Sequence, residues 1–409
     1  MDRCIYVCYS ISMDTDCANL FLSKRVSGIR SSVIREILKI TVKDSEFLSF
    51  AGGLPNPNLL EKELLLQATE KTINDSRDVA FQYGDSTGYE ILKHHIQHSF
   101  TNGMDMEGFS ICITHGSQQG LELLGKFFME EGTNVLLEDP VYLGALQAFS
   151  PYHPNFISLP LESDGPNLLE LENIFIEKKI HCFYSNPSHQ NPSTITWSIE
   201  KRKKVAALLD QYDVILIEDE AYLYLDFFGT LYPSIHSFRK NRDLSFVIGS
   251  FSKIISPGFR LGWVLVPNRF LKVFTNAKQG NDLNTNQFSQ VVISHLLSLM
   301  PLVDHLDKIR SYYLNQKQYL VELINHYLPE VSFQDPKGGM FLWVMFPNVL
   351  ESEMMEGILE KKVVMVPGNE FRIQKSDSTY FRMNFSFLPK AEMEEGVKRV
   401  NQVYRDIIT

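Results

Sequence analysis

No stretch of this 409-residue chain is apolar for the roughly 20 residues that a bilayer-crossing helix needs, so nothing in it reads as a membrane span. Positive charge is in deficit: 39 Lys and Arg stand against 49 Asp and Glu, a formal net charge of -10. That balance argues against a nucleic-acid binder, because phosphate backbones call for clustered Lys and Arg. Cysteine is scarce. Cys4, Cys8, Cys17, Cys112 and Cys182 are odd in number, scattered, and lack zinc-ligand spacing with histidine. Reduced thiols in a cytoplasmic protein are the expectation. Internal repeats, low-complexity tracts and flexible linkers are missing too, which predicts closely packed domains. A secretory signal is also lacking: the apolar patch Ile5 to Tyr9 behind Asp2 and Arg3 is too weak for one. Met13 is an alternative start, and residues 1–26 read as an extension, disordered or partly a mis-assigned beginning, with no function assigned.

What is present is an ordinary globular composition, 44% hydrophobic and 22% charged, in a chain long enough for two domains. The middle alternates short apolar runs with helical patterns, the sign of an α/β architecture. Strands are predicted at Phe109–Thr114, Asn134–Glu138, Asn155–Ser158, His181–Tyr184, Val214–Glu218, Phe246–Gly249 and Leu261–Val266, with helices such as Gln118–Glu130 and Ile199–Gln211 between them. The runs are continuous rather than alternating, as in strands buried on both faces. After about Leu283 the pattern is helical to His326 and then mixed, with strands expected at Met340–Met345 and Tyr380–Phe387.

Chemistry concentrates in four segments. Gly249 to Arg260 reads Gly-Ser-Phe-Ser-Lys-Ile-Ile-Ser-Pro-Gly-Phe-Arg. Lys253 offers an amine that forms a Schiff base with an aldehyde, while Ser250, Ser252 and Arg260 offer a cup for a phosphate. Pyridoxal phosphate carries both groups, and its enzymes pair the lysine with an acid for the ring nitrogen. That acid is Asp219 in Glu218-Asp219-Glu220-Ala221-Tyr222, with Tyr222 placed to reach the cofactor's phenolic oxygen. Gly116, Ser117 and Gln118 follow a strand and open a helix, where backbone N–H groups favour a phosphate. Tyr142 is a candidate to stack on the ring. Asn186 to Pro192 holds two Asn-Pro pairs, and Asn191 is the candidate donor to the phenolic oxygen. Taken singly, each of these has a plainer reading: a capped turn, a core tyrosine, a surface loop, a solvated acidic loop. Lys253 decides between them.

Together these residues resemble the fold-type-I pyridoxal phosphate aminotransferases of class I/II, nearest the 2-aminoadipate and kynurenine aminotransferase branch. The likeness runs from about Ser27 to the C-terminus and includes Ser49 to Pro55, Gln82-Tyr83-Gly84, Gly116 to Gln119, Asp219 to Tyr222 and Gly249 to Arg260. It implies a large domain (65–300) with a mostly parallel seven-stranded sheet flanked by helices. A small α+β domain (301–409) would be joined by an N-terminal segment (27–64) that covers the substrate site. Further roles follow from the likeness. Arg382 clamps the substrate α-carboxylate, Gly53 borders the substrate, and Asn191 belongs to both sites. Tyr83 reaches the phosphate of a neighbouring subunit in a homodimer with shared active sites. Arg30 or Arg35 reads a distal carboxylate, or else both lie on a solvated amphipathic helix. Two departures stand out. Ser193-Thr194 replaces the usual Thr-Gly after Asn191-Pro192, and Asn284 replaces an expected histidine.

The implied activity moves an amino group between an α-amino acid (2-aminoadipate, glutamate, aromatic or branched-chain type) and a 2-oxo acid such as 2-oxoglutarate, by a ping-pong mechanism. Lysis or decarboxylation on the same fold is an alternative, because fold does not fix reaction. A non-catalytic sensor of the cofactor is another. A regulator with a helix-turn-helix in front is disfavoured, since only about 30 residues precede the recognisable body.

Overall fold

The computed structural model describes residues 22–27, 44, 46–375 and 378–409. Arg30, Arg35 and Met13 lie outside the described residues. A short strand, β1 (Leu48–Ser49), precedes a sheet built from β2 (Phe109–Thr114), β3 (Asn134–Asp139), β4 (Asn155–Glu162), β5 (Gly165–Pro166), β6 (Cys182–Ser185), β7 (Ile215–Asp219), β8 (Ser245–Ser250) and β9 (Gly262–Pro267). Its order is β2-β9-β8-β7-β6-β3-β4-β5. Strands β8, β7, β6, β3 and β4 are mutually parallel, and β9 runs antiparallel between β2 and β8. The sheet thus has eight strands rather than seven. The extra one, β5, is a two-residue antiparallel return along β4. Two residues reading Gly-Pro carry no periodicity, so sequence pattern gives no sign of it.

Continuous apolar runs form these strands because both faces are covered. In β7, Ile215 and Ile217 enter one core with Tyr184, Phe246 and Ile248, while Leu216 enters another with Phe183 and Val205. The period of two therefore sorts like residues onto opposite faces. The helix Gly116–Phe128 begins two residues earlier than periodicity suggests, directly at the glycine after β2. The C-terminal part holds a second, antiparallel sheet, β10 (Ser332–Phe333), β11 (Phe341–Met345), β13 (Val366–Pro367) and β14 (Tyr380–Asn384), in the order β10-β11-β14-β13. Beside it, β1 pairs in parallel with β12 (Val363–Val364), which ties the N-terminal segment to this region. β14 stops at Asn384, three residues short of the predicted end, because Asn384 and Ser386 turn to bond each other.

One buried cation fastens the parallel strands to the loop beyond β6. Arg202, on the helix Ile199–Gln211, donates from Nε to Trp197 O and from Nη1 to Glu220 Oε1 (3.1 Å) and Pro233 O. Its Nη2 reaches Pro187 O and Ser188 Oγ, both at 2.9 Å. All of the guanidinium's N–H groups are thereby used, and the two ends of segment 187–197 are pinned to the end of β7. Removing one partner of a buried pair strands the other charge, at a cost of about 3 to 5 kcal/mol. Arg202→Ala is therefore expected to lower the urea midpoint of unfolding by an amount in that range; a loss below about 1 kcal/mol would show that the carboxylates find other partners.

Candidate active site

Ligands in open α/β sheets bind beyond the carboxyl ends of the strands, and here those ends deliver the predicted groups to one cavity. Thr114 leads into Gly116 and Ser117, Asp139 into Tyr142, Ser185 into Asn186, and Asp219 and Ser250 end β7 and β8. The cavity, about 240 Å³, is lined by Ser117, Gln118, Tyr142, Asn186, Asp219, Ala221, Tyr222, Ser250, Ser252, Lys253, Pro257 and Arg260. Gly116 stands at φ 71°, and a Cβ there would lie 2.8 Å from the Arg260 guanidinium, so both backbone conformation and space require glycine. Gly262 lets the turn at Gly116 and Ser117 approach β9, since its own Cβ would sit 2.7 Å from Ser117 N. Gln118 is held by its amide on Gly144 O (2.8 Å), and the Ser252 amide donates to Ser250 Oγ (3.1 Å).

The remaining predicted residues stand at or behind this cavity. Lys253 Nζ donates to Gly53 O at 2.8 Å, placing Gly53 beside the amine. Asp219 is 3% exposed and accepts from Tyr184 OH (3.1 Å) and the Ala221 amide (3.2 Å). Asn191 donates to Tyr222 OH (3.3 Å) and accepts from Arg382 Nη1 (2.8 Å), while Arg382 Nη2 donates to Ala51 O (2.6 Å). The Arg382 guanidinium lies 4.2 Å from the Phe341 ring centre and 5.0 Å from that of Phe371. Tyr83 is not brought into the cavity; it is 80% exposed. Asn284 turns its amide onto Thr285 O, after Leu283 at φ 60°.

The model of aminotransferase class I and II matches residues 55–400. The chain belongs to this family. The aminotransferase is 33% identical to aromatic-amino-acid aminotransferase 1 of Thermococcus litoralis over 94% of both chains. Its fold superposes on the Pyrococcus horikoshii kynurenine aminotransferase in complex with PMP with a TM-score of 0.91 and 33% identity, covering 96% of this chain and 98% of that one. The alpha-aminoadipate aminotransferase of Thermus thermophilus, complexed with N-(5'-phosphopyridoxyl)-L-leucine, gives a TM-score of 0.88 and 32% identity over 96% and 99% of the two chains.

Pyridoxal phosphate is the cofactor of this family, and the electrostatics of the cavity fit it. Burial above all, with the nearby Arg382 and Arg260 charges, brings the Lys253 amine down to about 8, while Asp219 opposes the fall. The amine is then accessible in the neutral form that attacks an aldehyde. Burial pushes the Asp219 carboxyl up to about 6 against the donors that surround it. A pyridinium N–H opposite would reverse that displacement, since a neighbouring cation favours the carboxylate. Ser117, Ser250, Ser252 and Arg260 stand where an anionic group would be held.

Thr194, where the family usually has glycine, adopts φ 66°. A β-branched side chain in that region is strained, and its buried Oγ1 has no hydrogen-bond partner. The loop keeps its shape through other contacts: Thr194 N donates to Gln190 O (2.7 Å) and Ser193 N to Gln190 Oε1 (2.8 Å). Sequence reasoning assigned no role to Asn186, Glu138, Gln190 or Arg202. Asn186, the first of the two Asn-Pro pairs, had a usable signal. The other three act across distances along the chain that no motif marks.

Two expectations follow. Asp219, with its folded value above the usual 3.8, favours the fold below about pH 4 and loses that contribution as pH rises through about 6. Asp219→Asn should therefore stabilise the cofactor-free protein at pH 8 by about 3 kcal/mol, with the gain vanishing towards pH 4. Thermal melts of both proteins across pH would read this, and coincident melts at pH 8 would contradict it. Thr194→Gly should raise the denaturation midpoint by an amount worth about 1 kcal/mol, the relieved strain exceeding glycine's extra entropy in the unfolded chain; a lower midpoint would mean that the threonine's packing outweighs its strain.

Proposed function

We propose that this aminotransferase takes 2-aminoadipate, glutamate and aromatic amino acids such as kynurenine as donors, with 2-oxoglutarate as acceptor. The observation that carries the reading is Arg382, a buried guanidinium set between the rings of Phe341 and Phe371. A planar fork of this kind suits a carboxylate, and the aromatic walls suit an apolar or aromatic donor. Burial lowers the Arg382 guanidinium only to about 10, so it stays charged at neutral pH. The names of the relatives point the same way.

When bound, the cofactor withdraws electrons from the substrate α-carbon and so makes its proton removable. The chain's residues divide the remaining work. Asp219 would keep the ring nitrogen protonated, Tyr222 and Asn191 would hold the phenolic oxygen, and Ser117, Ser250, Ser252 and Arg260 would hold the phosphate. The Lys253 amine would move the proton at the substrate α-carbon as general base and acid. Gly53 leaves room beside Phe341, since a Cβ there would press to 3.2 Å from its ring and reach 3.9 Å from Lys253 Nζ.

We further propose a cytoplasmic homodimer. Phe81 and Tyr83 are 64% and 80% exposed, and Leu66 and Ile73 on the helix Lys62–Asp75 are exposed as well. Apolar exposure of this extent along one segment suits a second copy of the chain, with Tyr83 directed to the partner's phosphate. Residues 65–300 as cofactor domain and 301–409 with 27–64 as the smaller one complete this reading.

Absorbance of the protein reconstituted with pyridoxal phosphate, before and after adding amino acids, tests the assignment. A visible band should bleach with glutamate, 2-aminoadipate or kynurenine and return with 2-oxoglutarate. Lys253→Ala should retain the cofactor and lose the lysine-linked band. A wild-type band indifferent to every amino acid would favour a sensor over an enzyme, and an unchanged band in the variant would sink the role of Lys253.

A further inference from the structure

Glu138, the penultimate residue of β3, is fully buried and has no direct contact with the cavity. Both its oxygens are occupied by N–H donors from the loop beyond the neighbouring strand β6: Oε1 accepts from Asn186 N (3.0 Å) and Oε2 from Gln190 Nε2 (2.9 Å). Those two residues govern Asn191. Asn186 Oδ1 accepts the Asn191 amide (3.0 Å), and Asn186 Nδ2 donates to Asp219 O (2.5 Å). Gln190 continues to Pro140 O (2.5 Å) and receives Ser193 N, so the loop is gripped on both sides of Asn191. Asn191 in turn touches Tyr222 and Arg382.

We propose that Glu138 is a positioning residue that sets Asn191, and through it both the hydrogen bond to the cofactor's phenolic oxygen and the orientation of the Arg382 clamp. The inference rests on the roles given above to Asn191 and Arg382. Burying a carboxyl group without a cation beside it is costly, and packing alone asks for no acceptor at this place. What the loop requires is two acceptors on one rigid group, one for each donor flanking Asn191. An ionised carboxylate supplies them, whereas a glutamine of the same shape turns an NH₂ towards one of the donors. Burial pushes this carboxyl up to about 7, opposed by the same donors, so they act to keep it in the form the loop needs.

Glu138→Gln in the reconstituted enzyme separates this role from packing. Asn191 stabilises the deprotonated chromophore, so the visible band of the variant should titrate about one pH unit higher than that of wild type. KM for the donor that bleaches the wild-type band should rise about tenfold, in keeping with one misplaced charged contact. Cofactor dissociation should change little, because the phosphate cup is untouched. Gln190→Leu removes the side-chain contacts to Glu138, Pro140 O and Ser193 N while leaving the link from Glu138 to Asn186, and should shift KM and the band in the same direction; it carries the test if E138Q fails to fold. A variant with a lowered melting temperature but wild-type KM and band titration would reduce Glu138 to a packing role and overturn the proposal. Absence of a band in wild type would instead count against the cofactor assignment.

Discussion

Negative charge buried at the carboxyl edge of the sheet is the constraint around which this molecule is arranged. Glu138 on β3 and Glu218, Asp219 and Glu220 at the end of β7 flank β6, and all four are withdrawn from water. Each is compensated differently. Arg202 serves Glu220 directly and lies 3.9 Å from Glu218, which also accepts the Ile235 and His236 amides. Glu138 is met by neutral donors, among them the Asn186 amide and the Gln190 side chain. Asp219 has a tyrosine and an amide as donors and the Lys253 charge nearby, and burial still holds its carboxyl above the usual range. A cationic ring beside Asp219 would offset that burial.

The parts of this arrangement that could be read from the chain are those in which chemistry and neighbourhood coincide. Lys253 between two serines, Asp219 after an apolar run and Gly116-Ser117 at a strand–helix junction each carry their meaning within a few residues. The strands were legible for a similar reason: burial on both faces leaves continuous apolar runs. What escaped acts between distant residues. Glu138 and Gln190 are 52 positions apart, and the N–H groups of Arg202 draw together segments from Pro187 to Pro233. Nothing in the composition of a helix Ile-Glu-Lys-Arg-Lys-Lys marks its one arginine as interior rather than solvated. The strands β1 and β5, two residues each, fall below the length at which any pattern can be detected.

Thr194 shows how tolerance enters such a network. A glycine-preferring backbone position accepts a β-branched residue because Gln190 fixes the turn from both of its polar ends. The stability lost locally is supplied by a neighbour whose own geometry is set by a carboxylate. Substitutions in this loop and at Glu138 or Gln190 should therefore not be additive.

The N-terminal stretch Phe50 to Gly53 gives the active site an internal competitor. Its carbonyl oxygens at Ala51 and Gly53 accept from Arg382 and Lys253, the proposed clamp and base. Phe50 meanwhile anchors the stretch to β14 through Asn384 N at 2.7 Å. Arg382 gives two of its five N–H groups to Ala51 O and Asn191 Oδ1, and its buried Nε–H has no partner, so a carboxylate arriving there would find donors free and would compete with a peptide carbonyl for part of the fork only. The Ala51 carbonyl thus decides which edge of the guanidinium is taken up by the protein's own backbone and which is left to a ligand.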